Sequence, residues 1–203
     1  MGVDLCTMTS SEALVRACEC GAWGAVRRML REPGVDVNAR AGSWGITGLT
    51  QACAAGELEG VEVLLGVPGI EVNPVDSAVG RTPLHHASDR GHVRMVRALL
   101  RAPGIREGLA DVWGDTPLHC ASRRGHVEVV RALLRVPGIE VNCADNEGLT
   151  PLHWASHGGK LEVVQALLRV PGIEVNRRDR SGRSPLELLC GVDGGAQDFV
   201  RRT

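Results

Sequence analysis

The chain has 203 residues, 43% of them apolar, a proportion that suits a globular protein and excludes a disordered one. With four Trp, one Phe and no Tyr, its core has to be built from Leu, Val, Ala and Ile. A net charge of −1 argues against a general nucleic-acid binder or a protein held on anionic membranes.

The charge is uneven. Residues 1–76 carry a net −5 and residues 77–203 a net +4, and of the 23 basic residues only Lys160 is lysine. Arginine in such excess suits planar, bidentate contacts with carboxylates or phosphates. It fits an ordinary solvated face equally well.

Residues 1–9 read as a flexible start. Gly2 is present, but Cys6 stands where a myristoylation pattern wants Ser or Thr. No signal peptide is recognised, and no apolar run approaches the ~18 residues a membrane helix needs. Seven Cys, an odd number without repeating CxxC pairs, point to reduced thiols in the cytosol or nucleus.

From residue 10 onward the chain restates itself. The first unit (10–43) offers "SEALVRACECG", then a helix carrying Trp23, Val26, Met29 and Leu30 on one stripe, which makes Trp23 a core residue. The second (44–79) opens with "ITGLTQACAAG", where Gly48 replaces the Pro of later units and predicts a ragged helix start. Its second stripe is Leu58, Val61, Leu64 and Leu65. The third (80–113) contains "TPLHHASDRG" and the stripe Val93, Val96, Leu99 and Leu100, then "IREGLAD", a finger whose turn departs from the "IEVN" of its neighbours.

The fourth unit (114–147) shows the physical grammar most plainly. Thr116 is placed to cap a helix, and Pro117 takes the first helical position, where its missing N–H costs nothing. Leu118 and Ala121 share a face, and Gly125 ends the helix in a left-handed conformation. A second helix follows over about His126–Arg135, with Val127, Val130, Leu133 and Leu134 at helical spacing. Pro137-Gly138 stops it, and "IEVN" with a polar turn makes an extended finger.

The fifth unit (148–181) repeats this with Leu161, Val164, Leu167 and Leu168. A half unit (182–190), "GRSPLELLC", has Glu187 in place of His. Residues 191–203 are either a tail whose Ala196–Arg202 folds back as a short capping helix with Phe199 inward, or the point where a longer array continues. The helix-ending glycines Gly21, Gly56, Gly91, Gly125 and Gly159 and the Pro-Gly pairs at 33, 68, 103, 137 and 171 keep one register of 34 to 35 residues. Two markers with one period predict stacked supersecondary units.

"TPLHHA" (82–87), "TPLHCA" (116–121) and "TPLHWA" (150–155), with "GHVRMVRALL" and "GHVEVVRALL" after them, resemble ankyrin repeats. The resemblance spans roughly residues 10–190. It implies an all-α repeat solenoid, an ankyrin-like stack of antiparallel helix pairs joined by short β-hairpin-like fingers. It also implies protein recognition through a concave surface lined by the finger tips and the ends of the first helices. Carried over position by position, that surface comprises Arg81, Asp89, Arg90, Val112, Trp113, Asp115, Arg123, Arg124, Asn146, Glu147, Leu149, His157, Arg180 and Arg183. The resemblance further implies that Asn38, Asn73, Asn142 and Asn176 match a site of asparaginyl hydroxylation.

Other chemistry is weighed against these positions. His85, His119 and His153 recur at the start of each first helix, where an imidazole can bond the Thr hydroxyl and backbone and so knit adjacent units. Identical positions in a linear stack lie a repeat apart and do not converge on a metal ion. No GxSxG, HExxH, phosphate-binding loop or dinucleotide fingerprint is present. Cys20 is the thiol most open to adventitious reaction. The expectation is therefore a non-enzymatic, cofactor-free monomer, an adaptor, scaffold or inhibitor that binds another protein and neither nucleic acid nor membrane. Trp113 at a finger tip among Arg side chains has the composition of a hot spot, which points to an acidic or acidic-aromatic segment as the occupant. Trp44 has a similar tip placement. The alternative is the regulatory or targeting part of a longer protein such as an enzyme, and a third reading gives the Arg stripe to nucleic acid.

Overall fold

The computed structural model describes residues 10–190; the expected flexible start at 1–9 and the tail or capping helix at 191–203 lie outside the described residues. Eleven helices occupy the described part. The first helix of each unit is α1 (Ser10–Glu19), α3 (Gly48–Ala55), α5 (Pro83–Asp89), α7 (Pro117–Arg124), α9 (Pro151–His157) and, for the half unit, α11 (Pro185–Cys190). The second is α2 (Trp23–Met29), α4 (Leu58–Leu65), α6 (Val93–Leu99), α8 (Val127–Leu133) and α10 (Leu161–Leu168). First helices pack on first helices in chain order, second on second, and the two rows lie against each other within each unit.

Helices this short are unstable alone in water, so their burial by neighbours decides the fold. Leu14, Leu49, Leu84, Leu118, Leu152 and Leu189 fill the first row, and Val61, Val96, Val130 and Val164 with Leu64, Leu99, Leu133 and Leu167 fill the second, all essentially without solvent contact. The burial is wider than the predicted stripe. Met95, Val129, Ala132 and Val163 are buried too, because each second helix is covered on another flank by the next unit. Trp23 is core, as its stripe position requires. Its indole lies where a side chain on Gly60 would stand: a Cβ there would come within 2.2 Å of the ring.

Each first helix is tied to the following unit by its histidine. Thr82 N–H donates to His85 Nδ1 at 3.1 Å and the Thr82 hydroxyl lies 2.8 Å from the same nitrogen, a capping box with imidazole in the Glu role. Nδ1 is thereby the acceptor, which leaves Nε2–H to donate to the carbonyl of Asp115, one unit on, at 2.9 Å. His119 and His153 repeat the arrangement, reaching the carbonyls of Leu149 at 3.1 Å and Arg183 at 3.2 Å. The half unit has no successor among the described residues, and there Ser184 and Glu187 make the ordinary box: Ser184 N–H donates to Glu187 Oε2 at 2.8 Å and Glu187 N–H to Ser184 Oγ at 3.3 Å.

Two further ties cross between units. Asn38, Asn73 and Asn142 each donate Nδ2–H to the carbonyl of the Pro-Gly glycine in the next unit, at 2.8–2.9 Å, and each accepts a backbone N–H there. Gly108 takes this place in the third unit, so that tie is missing between the third and fourth. His126 lies against Gly91 of the preceding unit, which has a φ of +75°, and a Cβ on Gly91 would meet the ring at 2.7 Å. Glycine is required there by conformation and by space together.

The second unit corrects one expectation. α3 starts cleanly at Gly48, because Thr47 caps it by accepting Thr50 N–H at 3.3 Å, and Gly48 itself packs against Cys18. A strand pair, β1 (Arg40–Ala41) with β2 (Ile46–Thr47), closes the first finger.

The three bridging histidines are buried, and burial pulls their pKa values down, to about 4 for His85 from an ordinary 6.5. The unfolded chain therefore takes up a proton on His85 between about pH 6.5 and 4 that the folded chain refuses. Stability is full above pH 6.5 and falls as the pH drops through that window, by at most about 1.4 kcal/mol per pH unit from His85, with His119 and His153 acting in the same direction. Urea melts at pH 7 and pH 5 should show a clear drop in midpoint, and a flat midpoint would contradict the bridging role. Gly60→Ala should cost about 1–3 kcal/mol by overpacking, recovered when Trp23 is shortened to Leu; thermal melts of the single and double variants check this.

Candidate functional site

The fingers are organised by an aspartate that sequence reading passed over. Asp76, Asp111, Asp145 and Asp179 hold equivalent places, 34 to 35 residues apart. One carboxylate oxygen of each closes the finger turn on backbone N–H groups: Asp76 Oδ1 accepts from Ala78, Val79 and Gly80, Asp111 from Trp113 and Asp115, Asp145 from Glu147 and Leu149, and Asp179 from Arg183. From Asp111 onward the "IREGLAD" finger has the turn of the fourth and fifth, the Asp N–H donating to the carbonyl four residues on; the irregularity expected of it is confined to Gly108 and its missing Asn tie. Neighbouring fingers are linked by one backbone bond each, Ser77 N–H to Trp44, Val112 to Val79, Asn146 to Trp113 and Arg180 to Glu147.

The second oxygen fixes a side chain on the working face. Asp76 Oδ2 holds His86 Nε2 at 2.9 Å, and Asp145 Oδ2 accepts from Trp154 Nε1 at 2.8 Å. His86 and Trp154 share the variable position between the bridging His and the Ala of "TPLHxA". In the fourth unit that position is Cys120, and Asp111 Oδ2 instead takes Arg81 from the finger before it, at 2.9 Å. Burial pulls the His86 pKa down against the opposing pull of Asp76.

Between the third and fourth fingers these residues enclose a groove of about 540 Å³ lined by Arg81, Trp113, Asp115, Arg123, Arg124, Asp145, Asn146, Glu147 and Trp154. Arg81 stacks over Trp113 at 5.4 Å and Arg123 over Trp154 at 5.0 Å. Asp115, buried at the groove floor, accepts from Arg123 at 2.7 Å. Arg124 pairs with Asp89 at 3.1 Å. Burial works to raise the Asp89 carboxyl, but the Arg124 hydrogen bond and the charges of Arg124, Arg81 and Arg123 outweigh it and hold the group below its ordinary value.

Seven residues of the expected face therefore meet in one groove: Arg81, Trp113, Asp115, Arg123, Arg124, Asn146 and Glu147. Asp89 joins through Arg124, and Val112 is exposed beside Trp113. His157 stands at the end of α9 with its ring edge-on to Trp154 at 6.4 Å. Leu149 is half-buried and serves through its backbone, as acceptor of the His119 bridge. Arg90 is exposed at the end of α5, while Arg180 and Arg183 belong to the next finger, Arg183 held by its own Asp179 at 3.0 Å. Asn38, Asn73 and Asn142 act in the Pro-Gly ties rather than at the groove, and Asn176 is exposed.

The arginine row differs in kind from the expected open cationic face. Arg81, Arg123, Arg124, Arg178 and Arg183 are each paired with a carboxylate of this chain, so the groove is close to charge-balanced. Trp154 and Asp145 were missed as site residues. The signal for Asp145 was its period; Trp154 gave one only as a large residue at a position where the other units carry His and Cys.

The thiols supply no nucleophile to this groove. Burial pushes Cys18 and Cys120 up to about 12 and raises Cys53 as well, so they stay protonated at neutral pH and pack as small apolar groups. Among the described residues no three His, Cys, Asp or Glu side chains converge as a metal site would require, and no helix is long and apolar enough to cross a membrane.

A family model described as ankyrin repeats (3 copies) matches this chain over residues 14–111, 49–145, 103–179 and 136–201. No curated protein matches it.

Asp115→Ala should destabilise the chain by about 1–3 kcal/mol, because it takes from the partly buried Arg123 guanidinium its 2.7 Å partner and leaves it Asp89 at 3.9 Å. Trp113→Ala, at an exposed tip, should change stability by less than about 1 kcal/mol. Denaturant melts of the two variants separate a structural floor from a free contact surface.

Proposed function

The chain belongs to the ankyrin-repeat family, and on that footing we propose that it binds a segment of another protein along its fingers, with the groove between the third and fourth fingers as the anchoring point. Ankyrin repeats are in general protein-interaction modules. The observation that carries the reading to this face is the distribution of exposed apolar side chains. The large ones among the described residues are Trp44, Val75, Val112 and Trp113, at 59%, 45%, 58% and 52% exposure, and all four sit in fingers. The core positions have been filled by packing, so apolar side chains left in water along one edge are a contact surface.

Trp113 offers a flat apolar face beside a groove whose rim is polar, the composition of an interface anchor surrounded by hydrogen-bonding groups. The occupant we favour there brings an apolar or aromatic side chain to Trp113 and Val112 and backbone groups to Asn146 and Glu147. An acidic occupant would find Arg90 and Arg180 on this side without a carboxylate partner among the described residues, but it would compete with Asp89, Asp111 and Asp115 for the rest. We place the protein in a reducing compartment, cytosol or nucleus. The free thiols of Cys18, Cys20, Cys53, Cys120 and Cys143 support this.

The test is a binding partner isolated on the immobilised chain, identified, and titrated against wild type and a Val112→Ser/Trp113→Ala variant. A loss of about tenfold or more in affinity with an unchanged melting temperature is expected. Equal affinity for both proteins would remove the finger face from consideration.

A further inference from the structure

The second row of helices carries two clefts that share no residue with the finger groove. One, of about 410 Å³ between α6 and α8, is lined by Arg97, Leu100 and Arg101 on one side and by Ala132, Arg135, Val136 and Pro137 on the other. The next, of about 250 Å³ between α8 and α10, is lined by Arg131, Leu134 and Arg135 and then by Ala166, Arg169 and Val170. The second cleft is the first advanced by one unit, each shared position 34 residues further along the chain.

Each cleft has an aliphatic floor and a guanidinium rim, and the rim differs from that of the finger groove in one decisive respect. Arg97, Arg101, Arg135 and Arg169 are exposed and have no hydrogen-bonded or ion-paired partner among the described residues, while Arg131 is held by Glu128 at 2.6 Å. The helix C-terminus favours a cation at this place, but it gives no directed acceptor to a guanidinium with five donors. The row is also bounded. In the second unit Glu62 and Gly66 stand where the third has Arg97 and Arg101, so the cationic stretch over α6, α8 and α10 is cut off at α4 from Arg27 and Arg31 of the first unit, where Arg27 is already paired with Glu59 at 2.7 Å.

We propose that these two clefts dock an acidic, aliphatic segment of another protein, laid across the second row of helices in extended form. Packed helices stand about 8–10 Å apart, and a segment in the extended polyproline II form advances about 3.1 Å per residue with three residues per turn, so every third side chain points the same way and successive clefts are about three residues apart along it. An acidic residue at every third position then meets Arg101, Arg135 and Arg169 in turn, and the apolar residues between settle on Leu100 with Val136 and on Leu134 with Val170. Carboxylates on the rim make charge-assisted, bidentate bonds. A nucleic-acid backbone would answer the rim and leave the aliphatic floor uncovered, which is why a polypeptide fits better.

The test uses a fluorescein-labelled peptide that repeats Glu-Val-Ser four times, with two competitors, a Glu-Ser-Ser peptide of the same charge and a single-stranded DNA of the same charge. Anisotropy titrations should show binding of the Glu-Val-Ser peptide that weakens with salt and falls about tenfold or more in the Arg101→Gln/Arg135→Gln/Arg169→Gln variant. The Glu-Ser-Ser peptide should bind several-fold more weakly. Trp113→Ala should bind the probe as wild type does, which keeps this surface separate from the finger groove. No binding by the wild type, or equal binding by the Gln variant, overturns the proposal. DNA bound as tightly as the peptide would assign the row to nucleic acid instead. Self-association of the wild type in sedimentation, lost in the variant, would assign it to a second copy of this chain.

Discussion

A neutral imidazole shut between two repeats is the constraint from which the rest of this structure follows. His85, His119 and His153 accept from their own Thr cap and donate across to the backbone of the next unit. One ring nitrogen must be bare and the other must carry hydrogen, so the protonated form does not fit. From the third unit onward that single requirement fixes the distance between units, because the acceptor is always the residue immediately before the next helix cap: Asp115, Leu149 and Arg183. With the caps set at a constant step, the buried Leu and Val rows come into register without any long-range strand pairing.

Constant step at the caps leaves the fingers to be held separately, and the periodic aspartate does this. Its two oxygens have different tasks, one folding the turn and the other reaching a side chain on the working face. The first task is shared by the second to fifth fingers, while Ala41 stands at this place in the first. The second takes whatever the neighbouring position offers, His86, Arg81, Trp154 or Arg183. A repeat can in this way keep one backbone geometry while its exposed chemistry changes, which is what a recognition surface on a fixed scaffold requires.

The helix order, the core leucines, the structural histidines and the burial of Trp23 were legible because each rests on a local rule repeated several times. Helical spacing, a cap and a stop signal leave little freedom when five copies agree. The site was legible only by position. Arg81, Arg123 and Arg124 could be placed on the face, but whether a guanidinium is open or already paired depends on a carboxylate 8 to 35 residues away. No local rule carries that information. Trp154 was hidden for a related reason: in the sequence it is one large residue inside a helix motif, and only the Asp145 bond and the Arg123 stack turn it toward the groove. The ragged start expected of α3 failed because Pro was read as the cause of a crisp helix start, when the Thr47 cap alone suffices.

The two rows of helices divide the charge in a way that bears on how each could recognise a partner. On the finger side arginine is locked by aspartate and by tryptophan faces, so its long side chain has already lost the freedom that binding would otherwise have to remove. Such a surface selects by shape and by the few groups it leaves open. On the second row the guanidiniums of Arg97, Arg101, Arg135 and Arg169 keep both their charge and their freedom. That surface attracts at longer range and selects less sharply, since each contact must still order a flexible side chain. A partner segment with separate apolar and acidic stretches would then be read by two faces of one rigid array, each answering a different part of its sequence.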